Sequence, residues 1–557
     1  METSTKPQGI RSPLRIDQAN VFYNYTIGLE SRHIDLAKTG AKLLKLGIAR
    51  AVFFSDFKFL YANTEGKIQL GWIHPQGRRW DPRWQIRLGQ EVPLSAAREL
   101  VLATEVSFHE HRIAGPITIF PPYLRASLPP IVLESDNLVQ PVFASIKIFD
   151  DGIAILTFQL DAAWDGLDEH HFISDIVNLA KHYCKSIWMD SRIQRLDAEI
   201  LMPVAFQEHL SFAGVPLNSP RMRQLLRRMR GQSRQLLEKS LDEQGKLFNI
   251  ADEEWTLHTV AGSKDQDSWE STMDLCRSEY SNALCALVAI RGDERDSKTS
   301  PSYIWQGRPS VSLMRFREQP AAKNVLLARF ASSLSRILMR TSAMESPPEL
   351  PLDLRPFGDY CLHGTRALLL WTWLRPTNAP TNVWDDPEAR AALMENQARA
   401  EHVEYHNMRI ARACAWAQSP PSDNYLRDAY ENLASTDEVI HQSSQAGEVS
   451  HALAHLLGEF GTLKLIPSAK EAARWQLDDL RYRSEVRRSH ADRWLTFVFG
   501  LVGTAGLANY AVQPYLLTAW PGLATEAVPI VSFAVAAAIV LLLAVLIWPC
   551  KRNESND

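Results

Sequence analysis

The chain has 557 residues, enough for more than one domain, and a net charge of -4 that gives it no general attraction to nucleic acid. Its mean hydropathy, -0.19, is that of a mostly water-exposed protein. Six cysteines, none in a Cys-x-x-Cys pair, argue against a disulfide framework and for isolated buried thiols.

Residues 1–29 read as a polar N-terminal arm without the apolar core of a cleavable signal. From 30 to 386 the pattern mixes strands and helices, with a possible subdomain boundary near 195–218. Leu36, Leu43, Leu44 and Leu46 have helical spacing. Segments 51–54, 68–73 and 117–120 read as strands. The clearest local signal runs from Pro141 to Leu160. There Ile146 and Ile148 alternate with Ser145 and Lys147, Asp150-Asp151-Gly152 supplies a turn, and Ala154, Leu156, Phe158 and Leu160 share a face. That is a β-hairpin. Phe172, Ile176, Leu179, Ala180, Tyr183 and Ile187 predict a helix behind it, and a fold of the α/β or α+β layer type follows.

Ser219-Pro220 opens a helix covered by Arg221, Arg223, Arg227, Arg228, Arg230 and Arg234, a face that suits solvent or another subunit, with lipid headgroups or nucleic acid as the sharper alternative. Between 250 and 375 the pattern predicts strands at 255–260, 311–315 and 367–373 and a helix over 321–344. A Pro-rich connector covers 346–356. From Pro387 onward the pattern is helical: 387–418, then 423 to about 460, then a helix from Ser468 after Pro467. The region 387–493 therefore reads as a helical stalk. Ala473, Leu477, Leu480, Ser484, Arg487, Ala491, Trp494 and Val498 step by 4 and 3, the 3.5-residue period of a supercoiled contact. Unbroken from 468 to 513, such a helix is ~70 Å long.

The last stretch carries the strongest signal. No charge occurs from Trp494 to Trp520, nor from Ala527 to Pro549, and each run is long enough to cross a bilayer core of ~30 Å. Pro521 and Gly522 turn the chain between them. Spans at 494–517 and 527–549 form a hairpin, followed by a tail at 550–557. Arg487 and Arg488 before it and Lys551 and Arg552 after it are basic, whereas the connecting loop holds only Glu526. By the positive-inside rule both termini are cytoplasmic and the protein is a multi-pass protein of the cell (inner) membrane.

No phosphate-binding loop, dinucleotide fingerprint or nucleophile elbow occurs, so enzymatic activity is not expected. His402 and His406 are four apart and are weak metal candidates, as are His451 and His455. Thr496, Gly500, Gly503, Gly506, Asn509 and Gln513 form a small and polar strip on the first span. It suits close helix packing or an ion path, and the residues alone leave both open.

A large cytosolic domain, a long helix entering the first of two C-terminal spans, a short outer loop and a basic tail together resemble the CorA-type magnesium and divalent-cation transporters. That family carries Gly-Met-Asn, commonly followed by an aromatic residue and then a proline. The matching stretch is Gly506-Leu507-Ala508-Asn509-Tyr510 with Pro514. Asn509, Tyr510 and Pro514 correspond, and Leu507 and Ala508 replace the Gly and Met. The resemblance covers about residues 468–557. It implies a homo-oligomer, a pentamer in the family, whose first spans line a pore with Asn509 as filter and Glu526 at the entry, passing Mg²⁺ or another divalent cation under control of the cytosolic domain. Its partners are then copies of itself and the bilayer, not nucleic acid. The alternative is a membrane-anchored sensor or scaffold without transport.

Overall fold

The computed structural model describes residues 14–29, 33–63, 65–78, 81–86, 92–114, 121–135, 138–196, 245–262, 272–289, 303–355, 360–374, 387–444, 446–522, 524 and 526–547, with a few isolated positions between 224 and 235. The Arg-rich stretch beginning at Ser219, the strand expected at 117–120, and Lys551 and Arg552 lie wholly or almost wholly outside them. The chain divides into two units, 1–471 and 472–557.

The first unit is an α+β domain built on one large mixed sheet. Its first strand is β1 (Arg15–Leu29), followed by helix α1 (Leu36–Lys45), capped by the Asp35 carboxylate on the Lys38 amide. Next come β2 (Ala51–Phe54), β3 (Lys58–Ala62), β4 (Ile68–Arg78) and β5 (Asp81–Ile86), then helix α2 (Leu94–Ala114). Strands β6 (Tyr123–Ser127), β7 (Ile131–Ser135), β8 (Leu138–Phe149) and β9 (Ile153–Asp168) follow, then β10 (Ser186–Met189), β11 (Gly245–Ile250) and β12 (Glu253–Gly262). Helix α3 (Met273–Leu287), β13 (Tyr303–Phe316), helix α4 (Lys323–Leu338), β14 (Tyr360–Gly364) and β15 (Leu369–Trp373) complete the sheet region. The path is β14-β15-β13-β1-β9-β8-β6-β2-β3-β4-β5, antiparallel except for β13 beside β15, with β7, β10, β12 and β11 branching from β8.

The two sheet faces differ in chemistry. On one, Val21, Tyr23 and Ile27 of β1, Ile146 and Ile148 of β8 and Leu156 and Phe158 of β9 pack into one apolar core under α1, α3 and α4. Period-2 alternation sends the intervening residues the other way. There Asn20, Asn24 and Thr26 of β1, Thr157 of β9 and Ser310 and Ser312 of β13 are buried although polar. Helix α5 (Pro387–Gln418) packs on β1, β13 and β9 of that face and also meets α2. Helices α6 (Asp423–Ala434), α7 (Thr436–Gln442) and α8 (Gly447–Glu459) follow, with α6 and α8 packed on α5.

Several expectations are corrected, among them the single helix expected over 423 to about 460, which is three helices. Residues 15–29, expected in a polar arm, form an interior strand between β13 and β9, because the polar half of their alternation faces α5 rather than water. Within the stretch expected as a stalk, α5 carries buried residues all around, Leu393, Ala398, Val403, Tyr405 and Met408 among them, and belongs to the first unit. The helix expected through Ile187 stops early. A π turn (Phe172–Val177) and a 3₁₀ turn (Leu179–Lys181) precede β10, which pairs with β7 and β12. The hairpin expected from 141 to 160 is present as β8 and β9, and α5 has the predicted limits.

Helix α9 (Ile466–Leu507) runs 42 residues without a break. Pro467, expected to end the preceding helix, is its second residue, where the missing N–H costs nothing. In the second unit α9 passes into a π turn (Ala508–Val512) and then α10 (Gln513–Ala519). Helix α11 (Val528–Ile547) packs back on both. The helix over 463–519 is long and apolar enough, by length and composition, to cross a membrane.

Candidate functional site

Arg125 of β6 and Lys147 of β8 are register partners on adjacent strands. Like charges placed directly opposite repel, and neither side chain reaches water. Two carboxylates descend from the covering helices to meet them. Glu401 of α5 accepts from Arg125 Nη1 at 2.9 Å and Nη2 at 2.5 Å, and from Lys147 Nζ at 3.3 Å. Glu110 of α2 accepts from Arg125 Nη2 at 2.7 Å, from Lys147 Nζ, and from the Tyr123 hydroxyl at 2.5 Å. Lys147 also lies 4.3 Å from the Tyr123 ring centroid. The layer is charge-balanced. Burial alone would raise the Glu401 carboxyl, yet Arg125 and Lys147 overcome it and hold the group far below the usual carboxylate range.

The layer continues along α5. Gln397 donates to Glu401 and to Asn24, each at 2.9 Å, and Asn24 accepts from Thr157 at 2.9 Å. Arg308 of β13 pairs with Glu404 at 3.0 Å and stacks on Phe460, 3.3 Å from its ring centroid. Burial dominates this second pair, pushing Glu404 up and Arg308 down against their mutual attraction. His402 and His406 meet edge to face, centroids 4.8 Å apart. Burial lowers His402 to about 3, with Lys147 and Arg399 adding to it, and lowers His406 as well. Both are neutral at physiological pH.

Among the described residues, the cavity beside this layer is small. The cavity lined by Trp371, Arg399, His402 and Leu456 measures about 20 Å³, the space of a single water. Among the described residues, the His, Cys, Asp and Glu side chains grouped closely enough to share a metal do not include His402 or His406. Through these ion pairs the layer ties α2 and α5 to β6 and β8.

The sequence-selected residues of the second unit are arranged differently. Thr504, Ala508, Val512 and Leu516 are buried on one line, and Val528, Ser532 and Ala536 on another. Ala508, Val512, Leu516 and Ala536 form one apolar cluster with Val531 beside it. Asn509 lies off that seam and is exposed, and the Tyr510 ring is 88% exposed. A Cβ built on Gly500, Gly503 or Gly506 would meet nothing within 4 Å. Gln513 is half-buried, and Glu526, Arg487 and Arg488 are exposed. The π turn that holds Asn509 and Tyr510 is a distortion common at functional positions. No known protein family, curated protein or solved structure matches this chain.

Sequence reasoning missed the ion layer. Lys147 alternates with Ile146 and Ile148 as a solvent-facing residue would, and Glu110 sits in His109-Glu110-His111, whose spacing is not that of a zinc helix. The available signal was a Lys flanked by Ile146 and Ile148 on a strand with an Arg-bearing neighbour, a pair that demands carboxylates from elsewhere.

Proposed function

We propose that the chain is a CorA-like membrane protein in which α9 to α11 span the bilayer as a hairpin, several copies assemble, and their first spans together surround a path for a divalent cation. The carrying observation is that each hairpin buries one side of its first helix and leaves Gly500, Gly503, Gly506 and Asn509 uncovered. An amide facing lipid is costly, so in a bilayer Asn509 calls for protein or water beside it. Glycines with open space are what close approach of another helix uses. Trp494 and Trp520, 69% and 63% exposed, bracket the charge-free run at a helical distance of roughly 40 Å, the separation of two interfacial aromatic belts.

In this reading both termini are cytoplasmic, the first unit is a cytosolic control domain without enzymatic activity, and the charged part of α9 is the stalk. The seam from Leu477 through Val498 is largely exposed in a single chain, as a helix awaiting copies would be. Asn509 carbonyls from several chains offer neutral oxygens to a hydrated cation such as Mg²⁺, and Glu526 concentrates cations at the entry.

The test combines native mass spectrometry in detergent with ion flux in liposomes. A homo-oligomer whose Mg²⁺ or Co²⁺ flux falls in Asn509→Ala is the expected result. A monomer, or flux indifferent to Asn509, rejects the pathway. An anchored sensor or scaffold is the second reading. It is favoured by Ala508, which stands in the family's Met position and is spent on packing inside the hairpin.

A further inference from the structure

Strand β14 lies at one end of the sheet, far along the path from the ion layer. Its alternation turns Leu362 towards α5, where it lines the small cavity beside His402, and Cys361 and His363 to the opposite face. Asp353 meets them from the connector that follows α4. One ring nitrogen of His363, the sulfur of Cys361 and a carboxylate oxygen of Asp353 all lie within 4.8 Å of one another. Cys361 and His363 are fully buried and Asp353 is half-buried.

Two of the three, Asp353 and His363, are held in place by hydrogen bonds. Asp353 Oδ1 accepts from the amides of Leu362 at 2.9 Å and Arg355 at 3.0 Å, and Oδ2 pairs with Lys323 at 2.7 Å. His363 Nδ1 donates to the Pro351 carbonyl at 3.0 Å. That bond places the lone pair on Nε2, which is buried and has no hydrogen-bond partner. An imidazole tethered by Nδ1–H to a backbone carbonyl, with its other nitrogen bare, is the arrangement of a metal-bound histidine.

We propose that Asp353, Cys361 and His363 bind one Zn²⁺ ion. One sulfur, one nitrogen and one oxygen form a borderline-soft donor set, which suits zinc and disfavours Mg²⁺ and Ca²⁺, ions that prefer all-oxygen shells. Tetrahedral zinc with bonds of about 2.0–2.3 Å brings its ligands roughly 3.3–3.8 Å apart, so the group closes by about 1 Å on binding. Binding exchanges the Cys361 S–H bond for a S–Zn bond and releases the proton to solvent. A water completes the shell, and Lys323 continues to hold the outer carboxylate oxygen. The ion pins the edge strand to its connector, and the site is independent of the membrane reading.

Full-length protein carrying no polyhistidine tag, purified in detergent and titrated with Co²⁺ as the probe, tests this. The expected result is one equivalent bound with a thiolate-to-cobalt charge-transfer band. The band is lost in Cys361→Ser, and binding falls about ten-fold or more in His363→Ala and Asp353→Asn. Zinc-edge X-ray absorption on the wild-type chain needs no variant and is expected to show a single sulfur in a four-ligand shell. No band in the wild type, a band that survives Cys361→Ser, or a zinc shell without sulfur overturns the proposal.

Discussion

Arg125 and Glu401 stand 276 residues apart in the chain and are joined by two parallel contacts, Nη1 to Oε1 at 2.9 Å and Nη2 to Oε2 at 2.5 Å. The planar guanidinium fork fits the carboxylate plane, so the pair fixes both the distance and the tilt of α5 over β6. Such a pair is retained for its geometry more than for net stability, since taking both ions out of water costs nearly what their attraction returns.

Removing one partner is a different matter. Glu401→Gln keeps the shape but leaves Arg125 and Lys147 sharing Glu110 alone, and we expect a loss of about 3–5 kcal/mol. Arg125→Met with Glu401→Met is expected to cost less than the two single losses added together. Denaturant unfolding followed by tryptophan fluorescence measures both, and a Glu401→Gln loss below about 1 kcal/mol would show that the layer does not hold α5.

Acid sensitivity follows from the buried histidines. Burial keeps His402 neutral down to about pH 3, whereas an unfolded histidine takes up a proton below about 6.5. The unfolded state therefore binds more protons across that interval, and stability falls as pH falls, by up to about 1.4 kcal/mol per pH unit for each such group. His406 acts in the same direction. Glu401, depressed in the fold, contributes stability above the ordinary carboxylate range that is lost on further acidification. Melting curves from pH 7 to 4 are expected to decline less steeply in His402→Gln. A variant curve parallel to the wild type refutes this role.

Gly307 sets the approach of β13 to β1. A Cβ there would strike the carbonyl oxygen of Asn24 and come 2.9 Å from the Tyr25 Cα, backbone atoms that cannot rotate away. Gly307→Ala is expected to lower stability by about 1–3 kcal/mol, read as a drop in Tm. Gly66, with nothing within 4 Å, is the contrasting site for space, although its φ of +75° strains any replacement.

For the second unit the prediction concerns assembly. A Cβ on Gly503 meets nothing within 4 Å, and leucine, in Gly503→Leu, is the better helix former. Helicity by circular dichroism is expected to stay unchanged while the oligomer seen by native mass spectrometry dissociates. An intact oligomer would remove Gly503 from the subunit contact.

Much of the fold was legible where the pattern is local. The β8–β9 hairpin, the limits of α5 and the position of α4 follow from spacing within one element. The two long charge-free runs were equally plain. What escaped was whatever depends on distant partners. Strand β1 looked unstructured because Asn20, Asn24 and Thr26 are polar, and only α5, some 370 residues later, makes their burial tolerable. The break of 423–460 into α6, α7 and α8 also went unread, since the first turn, at Ser435, has no proline or glycine and the second is marked only by Gly447 at the start of α8. The four charges at the centre of the ion layer come from four elements, α2, β6, β8 and α5, and Glu401 lies 276 residues from Arg125, so no local pattern relates them.

One feature of the last helices changes how their residues are to be counted. Thr504, Ala508, Val512 and Leu516 are buried at strict four-residue intervals, a spacing that in an undistorted α-helix would wander by about 40° per step. The wider π coil at Ala508–Val512 offsets that drift over the middle step. A helical wheel drawn through residue 513 at 100° per residue therefore assigns Gln513 and Pro514 to the wrong azimuth relative to Gly500 and Gly503. Inserting or deleting one residue at the π coil would rotate everything beyond it by about a quarter-turn, turning the far end of the helix away from α11 without altering its composition.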